Sequence, residues 1–176
     1  PGAPAPPPGD QALAARLREA LDDLHARRAG FRDRFEAQVW LVDMDRRLAP
    51  FLPDRRERLA LLRLTHREAR RAGLPPELVL AVMEVESGFD RWAISRAGAQ
   101  GLMQVMPFWL RRLGRPEDSL FDPRVNLRLG CTILRHYLDR EGGDLVRALA
   151  RYHGSYPATA YAERVLAALS RRWYRR

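Results

Sequence analysis

Lysine is missing altogether: every one of the 31 basic residues is arginine. Cysteine is almost missing, with Cys131 alone in 176 residues. One thiol excludes an intramolecular disulfide and a cysteine-rich metal site. Its apolar, helical surroundings mark it as packed and inert. No uninterrupted apolar run reaches the roughly 18 residues that a membrane-spanning helix needs. No basic-then-apolar leader opens the chain, so a cytoplasmic protein or an exported one already trimmed is expected. His25 and His66 stand isolated, with no second ligand at metal spacing, so each reads as a surface or core-edge histidine rather than a metal ligand.

What is present is a chain long enough for one domain with a real core, carrying a net charge of +9. A basic surface favours polyanions such as nucleic acid, anionic lipid headgroups or an acidic cell-wall polymer. Charge alone does not choose among them.

Residues 1–9, PGAPAPPPG, form a proline-rich lead that should be extended and poorly ordered. Residues 10–72 read as a platform of three amphipathic helices. Asp10 caps the first, whose stripe is Leu13, Leu17, Leu21 and Leu24 and which runs to about Arg28, before Gly30. Phe35, Val39, Trp40, Leu41 and Met44 mark the second, ending before Pro50. Pro53-Asp54 starts the third, with Leu61, Leu62 and Leu64 inward and Arg56, Arg63, Arg67 and Arg70 outward. Nothing in this part carries chemistry.

Residues 73–176 form the second region, and its chemistry lies between Leu78 and Pro107. Pro75-Pro76 suits a helix start and Gly88 a helix stop. Val79, Val82, Met83 and Glu86 recur at i, i+3, i+4 and i+7, so they share an apolar face. Glu77, Ala81 and Glu84 share a more polar one, which reads Glu84 as an ordinary solvated glutamate. Glu86 is the exception: an acid on an apolar stripe at a helix end. Partial burial disfavours the carboxylate and raises the pKa, as a general acid near neutral pH requires. Spacing by itself leaves a structural glutamate, salt-bridged or bonded by the following loop, as the alternative. That loop supplies hydroxyls, an amide and close backbone approach through Ser87, Ser95, Gly98, Gly101 and Gln104, groups suited to a polar, uncharged ligand such as a sugar.

The run Glu86-Ser87-x-Phe89, Ala93-x-Ser95, Gly98-Ala99-x-Gly101-Leu102-Met103-Gln104-x-Met106-Pro107 resembles the signature of the soluble-type (SLT) lytic transglycosylases, which are lysozyme-like. The likeness extends, more thinly, from Leu74 to Tyr161. It implies an all-α, lysozyme-like domain with an N-terminal helical extension, and Glu86 as the catalytic acid. It also implies Ser87, Ser95, Gln104, Met106, Tyr152, His153 and Tyr161 as substrate-binding residues. The implied partner is the glycan strand of peptidoglycan, met in the periplasm by an exported, monomeric protein, with no nucleic acid involved. The implied chemistry uses a single glutamate acid/base to cleave the β-1,4 bond between N-acetylmuramic acid and N-acetylglucosamine, leaving 1,6-anhydro ends without consuming water.

A second apolar helix is expected through Met103, Met106, Phe108, Trp109 and Leu110, before Gly114 and Pro116. Asp122-Pro123 starts another, whose Phe121-Asp122-Pro123, Asn126 and Gly130 resemble a second family block in which Asn126 is structural. In Arg151-Tyr152-His153-Gly154-Ser155, histidine stands where the family commonly has asparagine. An imidazole replaces one amide hydrogen bond but not both, and brings a titrating group to the site. That departure and the basic surface keep a second reading open: a non-catalytic peptidoglycan-binding or secretion-machine module of the same fold. A nucleic-acid binder would explain the charge but not the Ser/Gly/Gln loop. Phe89 and Trp92 suit core packing and sugar stacking equally. The last helix should run to about Ser170. Arg171-Arg172-Trp173-Tyr174-Arg175-Arg176 then reads as a frayed end, or as an anchor to an anionic surface.

Overall fold

The computed structural model of the protein describes residues 10–26 and 33–174, with side chains from residue 38 onward in the second stretch. The proline-rich lead, the expected helix end near Arg28 and Gly30, the Phe35 side chain and Arg175-Arg176 lie outside the described residues. Among the described residues there are eight α-helices and no strand: α1 (Gln11–Ala26), α2 (Asp33–Leu48), α3 (Arg55–Arg71), α4 (Pro76–Ser87), α5 (Phe108–Arg112), α6 (Pro123–Arg140), α7 (Leu145–His153) and α8 (Ala160–Ala168). A single π-helical turn, Leu169–Trp173, follows α8. The expected all-α class holds.

Local chemistry sets the helix ends. The carboxylates of Asp54, Asp122 and Asp144 accept backbone N–H bonds at the starts of α3, α6 and α7. Proline occupies the first turn of α4 and α6, where its missing N–H costs nothing. Gly88 stops α4 in the left-handed region at φ 57°, which a residue without Cβ enters freely.

Helix α6 is the axis of the packing. It touches α1, α3 and α7, and its buried residues run from Val125 to Tyr137. Leu13, Leu17 and Leu21 of α1 reach 0% exposure against the common core, each worth about 1.5–3 kcal/mol of burial. One continuous apolar cluster joins these helices to α4, α7 and α8. Within it sits an ionic knot. Arg128 of α6 and Glu68 of α3 are both 0% exposed and meet through two bonds of 2.6 and 2.9 Å. Arg128 also donates to the Ala20 carbonyl and to Asp23 of α1, while Arg71 reaches Glu68 and the Thr132 hydroxyl. The knot ties α1 and α3 to α6 with its charged atoms engaged on all sides.

Three expectations change. The second apolar helix is only Phe108–Arg112; residues 98–107 form turns and two isolated bridges, Ile94 with Gln100 and Gln100 with Val105. Their apolar side chains are buried by a loop rather than by helical periodicity, because Asn126 takes over the backbone bonding. Its Oδ1 accepts from Met103 N–H at 2.8 Å, and its Nδ2 donates to the Gln100 and Leu120 carbonyls at 2.9 Å each. Glu84 is not solvated: Arg172 donates to it at 2.6 Å. The C-terminal stretch is not frayed through Trp173, which is 0% exposed and packs against Phe51 and Phe89. Arg172, held by Glu84 and lying 5.1 Å above the Phe51 ring, therefore serves the fold. His66 is buried, stacked at a tilt on Trp40.

Candidate active site

Glu86 sits in the last turn of α4, whose buried face (Leu78, Val79, Val82, Met83) anchors the helix in the core. The Glu86 side chain is half-buried at the floor of a pocket of about 230 Å³. Its Oε2 is sealed from solvent and has no hydrogen-bond partner. Burial pushes the carboxyl pKa up to about 8, against a smaller opposing pull from the Arg164 guanidinium. Desolvation penalises the charged form, so the group holds its proton at neutral pH. A carboxyl that is protonated and reachable from a pocket can donate that proton to a ligand.

The walls come from three places. The end of α4 supplies Val85 and Ser87, the loop supplies Ala93, Ile94, Ser95 and Gln104, and α7 and α8 supply His153 and Arg164. The loop is held rigidly. Ser87 Oγ donates to the Leu102 carbonyl at 2.7 Å, and Gln104 Nε2 donates to the carbonyls of Ala93 and Gly101. Ser95 Oγ accepts the Ala99 N–H at 3.0 Å. Phe89 and Gln104 both take positive φ, 66° and 52°, a conformation that costs a side-chain-bearing residue about 1–2 kcal/mol. Such strain is tolerated where surrounding bonds over-determine the backbone, and it clusters at functional sites. Gly101 is required sterically, because a Cβ there would collide with the Asn126 side chain and the Leu120 carbonyl.

The structure thus brings Glu86, Ser87, Ser95, Gln104 and His153 to one pocket. Met106, Tyr152 and Tyr161 are not among its lining residues. Met106 is half-buried against the core. Tyr152 spends its hydroxyl on the Met103 carbonyl at 2.7 Å. Tyr161 is buried behind the wall, its ring stacked flat on His153 at 4.2 Å and 7°. The Tyr161 hydroxyl is buried without a partner. Burial first, and the nearby Glu86 charge second, raise both phenol pKa values well above the usual range. Both tyrosines thus stay neutral.

Arg164 is the charged pocket residue that the sequence reading missed. It lies three residues after Tyr161, hence on the same face of α8, and that spacing was the available signal. Larger hollows lie elsewhere. One of about 850 Å³, between α3 and the start of α6, is walled by Arg56, Arg63, Arg67, Arg91 and Arg124, and no group in it resembles Glu86. Among the described residues no cluster of His, Cys, Asp or Glu is arranged to hold a metal ion. No described helix is long and apolar enough to cross a membrane.

The family model of the transglycosylase SLT domain matches residues 63–164, more than half of the chain. The chain belongs to the SLT transglycosylase family. The SLT region takes in most of α3 and runs through the pocket to Arg164. Similar proteins include the transglycosylase of Enterobacteria phage PRD1, 42% identical over 81 residues, covering 46% of this chain and 29% of the phage protein. The membrane-bound lytic murein transglycosylase C of Mannheimia succiniciproducens is 43% identical over 82 residues, 42% of this chain and 23% of its own. Its counterpart in Pectobacterium atrosepticum is 32% identical over 134 residues, 71% of this chain and 33% of its own. The SLT chain described here therefore spans a third or less of these relatives. An inactive variant of the lytic transglycosylase Slt from Pseudomonas aeruginosa superposes with a TM-score of 0.48 at 25% identity, covering 89% of this chain and 26% of that one.

Proposed function

We propose that this SLT chain is a peptidoglycan lytic transglycosylase that works with one glutamate. The observation that carries the reading is the lining of the acid's pocket. Glu86 is its one carboxyl group among the described residues, and it is protonated at neutral pH. Two-carboxylate glycosidases need a second acid at a set distance, and the described lining offers none. In this reading Glu86 protonates the bridging oxygen of the β-1,4 bond between N-acetylmuramic acid and N-acetylglucosamine. The substrate's N-acetyl group helps to stabilise the cationic sugar. Glu86, then a carboxylate with Oε2 still unpartnered, takes the proton of the sugar's own C6 hydroxyl. That oxygen attacks C1, the 1,6-anhydro ring closes, and Glu86 is protonated again for the next turnover.

Ser87, Ser95, Gln104 and His153 border the sugar in this proposal, with Tyr152 and Tyr161 supporting the wall. Murein as substrate puts the protein in the cell envelope, exported and acting as a monomer without cofactor. The non-catalytic alternative draws on His153. Against it stands the proton-holding Glu86, since burying a carboxyl oxygen without a hydrogen-bond partner costs stability and a binding module gains nothing from it.

Digestion of purified murein sacculi, followed by mass spectrometry of the released muropeptides, tests the reading. Anhydro ends lost in Glu86→Gln support it. Ordinary reducing ends would make the protein a hydrolase, and binding without turnover would make it a wall-binding module.

A further inference from the structure

Of four tryptophans, three are sealed in the core: Trp40, Trp109 and Trp173 are 3%, 1% and 0% exposed. Trp92 is 62% exposed, and Ile94, two residues on, is 64% exposed. Large apolar side chains at that exposure, side by side on a rigid loop, pay a solvation cost that packing does not return. The loop cannot fold them inward. Trp92 N–H is held by Asp90 at 2.9 Å, the Ala93 carbonyl accepts from both Gly101 N–H and Gln104 Nε2, and Ile94 is bridged to Gln100. The indole is also held in place, with a cation over one of its faces. Arg91, itself donating to the Phe121 carbonyl, lies 4.5 Å over the ring, and the Phe121 ring is 5.8 Å away. The result is an oriented aromatic plate on the surface.

This plate adjoins the Glu86 pocket. Ala93, Ile94 and Ser95, the residues directly after Trp92, line it. At about 230 Å³ the pocket is also smaller than the roughly 300–1,000 Å³ that encloses a drug-sized ligand. A polymeric glycan entering there must continue over the surface beside it. We propose that Trp92 and Ile94 form a glycan subsite outside the Glu86 pocket. There the indole stacks on the apolar C–H face of an N-acetylhexosamine ring, and Ile94 packs against its N-acetyl methyl group. The subsite deepens the transglycosylase reading and rests on it for the choice of a glycan. An amphipathic ring with one C–H face and polar edges suits a plate whose surroundings are apolar on one side and wet on the other.

The three buried tryptophans make Trp92 its own reporter. The probe is the β-1,4-linked N-acetylglucosamine hexamer, titrated into Glu86→Gln so that nothing is cleaved. Binding should shift tryptophan emission to shorter wavelength and protect it from acrylamide quenching. Adding Trp92→Ala should remove the response and weaken binding, followed by calorimetry, about tenfold or more, with Trp92→Phe keeping most of it. Trp92→Ala should melt within a few degrees of its parent, since the ring is exposed. With Glu86 intact, Trp92→Ala should raise KM for sacculi much more than it lowers kcat. Hexamer that binds Trp92→Ala as tightly as its parent, or that fails to bind the parent, overturns the subsite. Failure of the transglycosylase reading looks different: wild-type protein releases no muropeptide while the hexamer still protects Trp92.

Discussion

Two carboxyl groups, the buried Glu68 and the half-buried Glu86, stand in contrasting surroundings. Glu68 lies at the junction of α1, α3 and α6 and meets three arginines, Arg128 and Arg71 through hydrogen bonds and Arg67 at 3.6 Å. Glu86 lies where α4 ends and meets no hydrogen-bond donor at Oε2. The same side chain in the same core is thus a fastening in one place and a proton store in the other. Partners make the difference: a buried charge is tolerable when paired and bonded, and otherwise the group keeps its proton. Both regions depend on α6. Asn126 pins the pocket loop and Arg128, two residues on, binds the platform.

The sharpest break in the comparison is Glu86→Gln. It should cut muropeptide release by about 10²–10⁴-fold, the range of a lost general acid, while the protein stays folded by circular dichroism. The mirror experiment is Glu68→Ala, which leaves the buried Arg128 with only the exposed Asp23 carboxylate as counter-charge. It should cost about 3–5 kcal/mol in urea unfolding, and Glu68→Leu with Arg128→Met should recover most of that loss. Asn126→Ala tests the shared helix. It orphans the buried Met103 N–H, at about 1–3 kcal/mol, and loosens Gln104, so activity should fall more than stability alone explains.

Acidity tests the Glu86 site by itself. Between about pH 4.5 and 8 the unfolded chain releases the Glu86 proton while the folded chain keeps it. Folding stability should therefore decline as pH rises through that window. Activity should be lost as pH passes about 8, where the acid itself ionises. Unfolding curves of Glu86→Gln should lack that part of the pH slope. The smallest expected effect belongs to Arg164→Gln. Removing the cation that opposes the burial shift should move the alkaline limb of the pH–activity profile slightly upward.

Much of this was legible without coordinates. The capping aspartates, the i, i+3, i+4, i+7 stripe ending in Glu86 and the Gly-rich loop are local signals, and each appears at its expected place in the chain. What escaped had no local signal. Residues 102–107 are apolar enough for a helix, yet the Met103 N–H goes to Asn126, the Leu102 and Met103 carbonyls to Ser87 and Tyr152, and Val105 to Gln100. Glu84 looked solvated because its partner, Arg172, lies 88 positions downstream. Trp173 looked like part of a loose end because the rings that cover it, Phe51 and Phe89, lie on other elements. Arg164 carries no motif of its own and reaches the pocket only because α8 packs against α4.

By itself the sequence determined most of the helices, several of their caps and the family, and singled out Glu86 as the candidate acid, since periodicity, turn chemistry and motif spacing are all written within a few residues of one another. Tertiary structure alone decided which glutamate is paired and which is left holding its proton. Desolvation and ion pairing depend on what the rest of the chain brings within a few ångströms, and no local spacing records that.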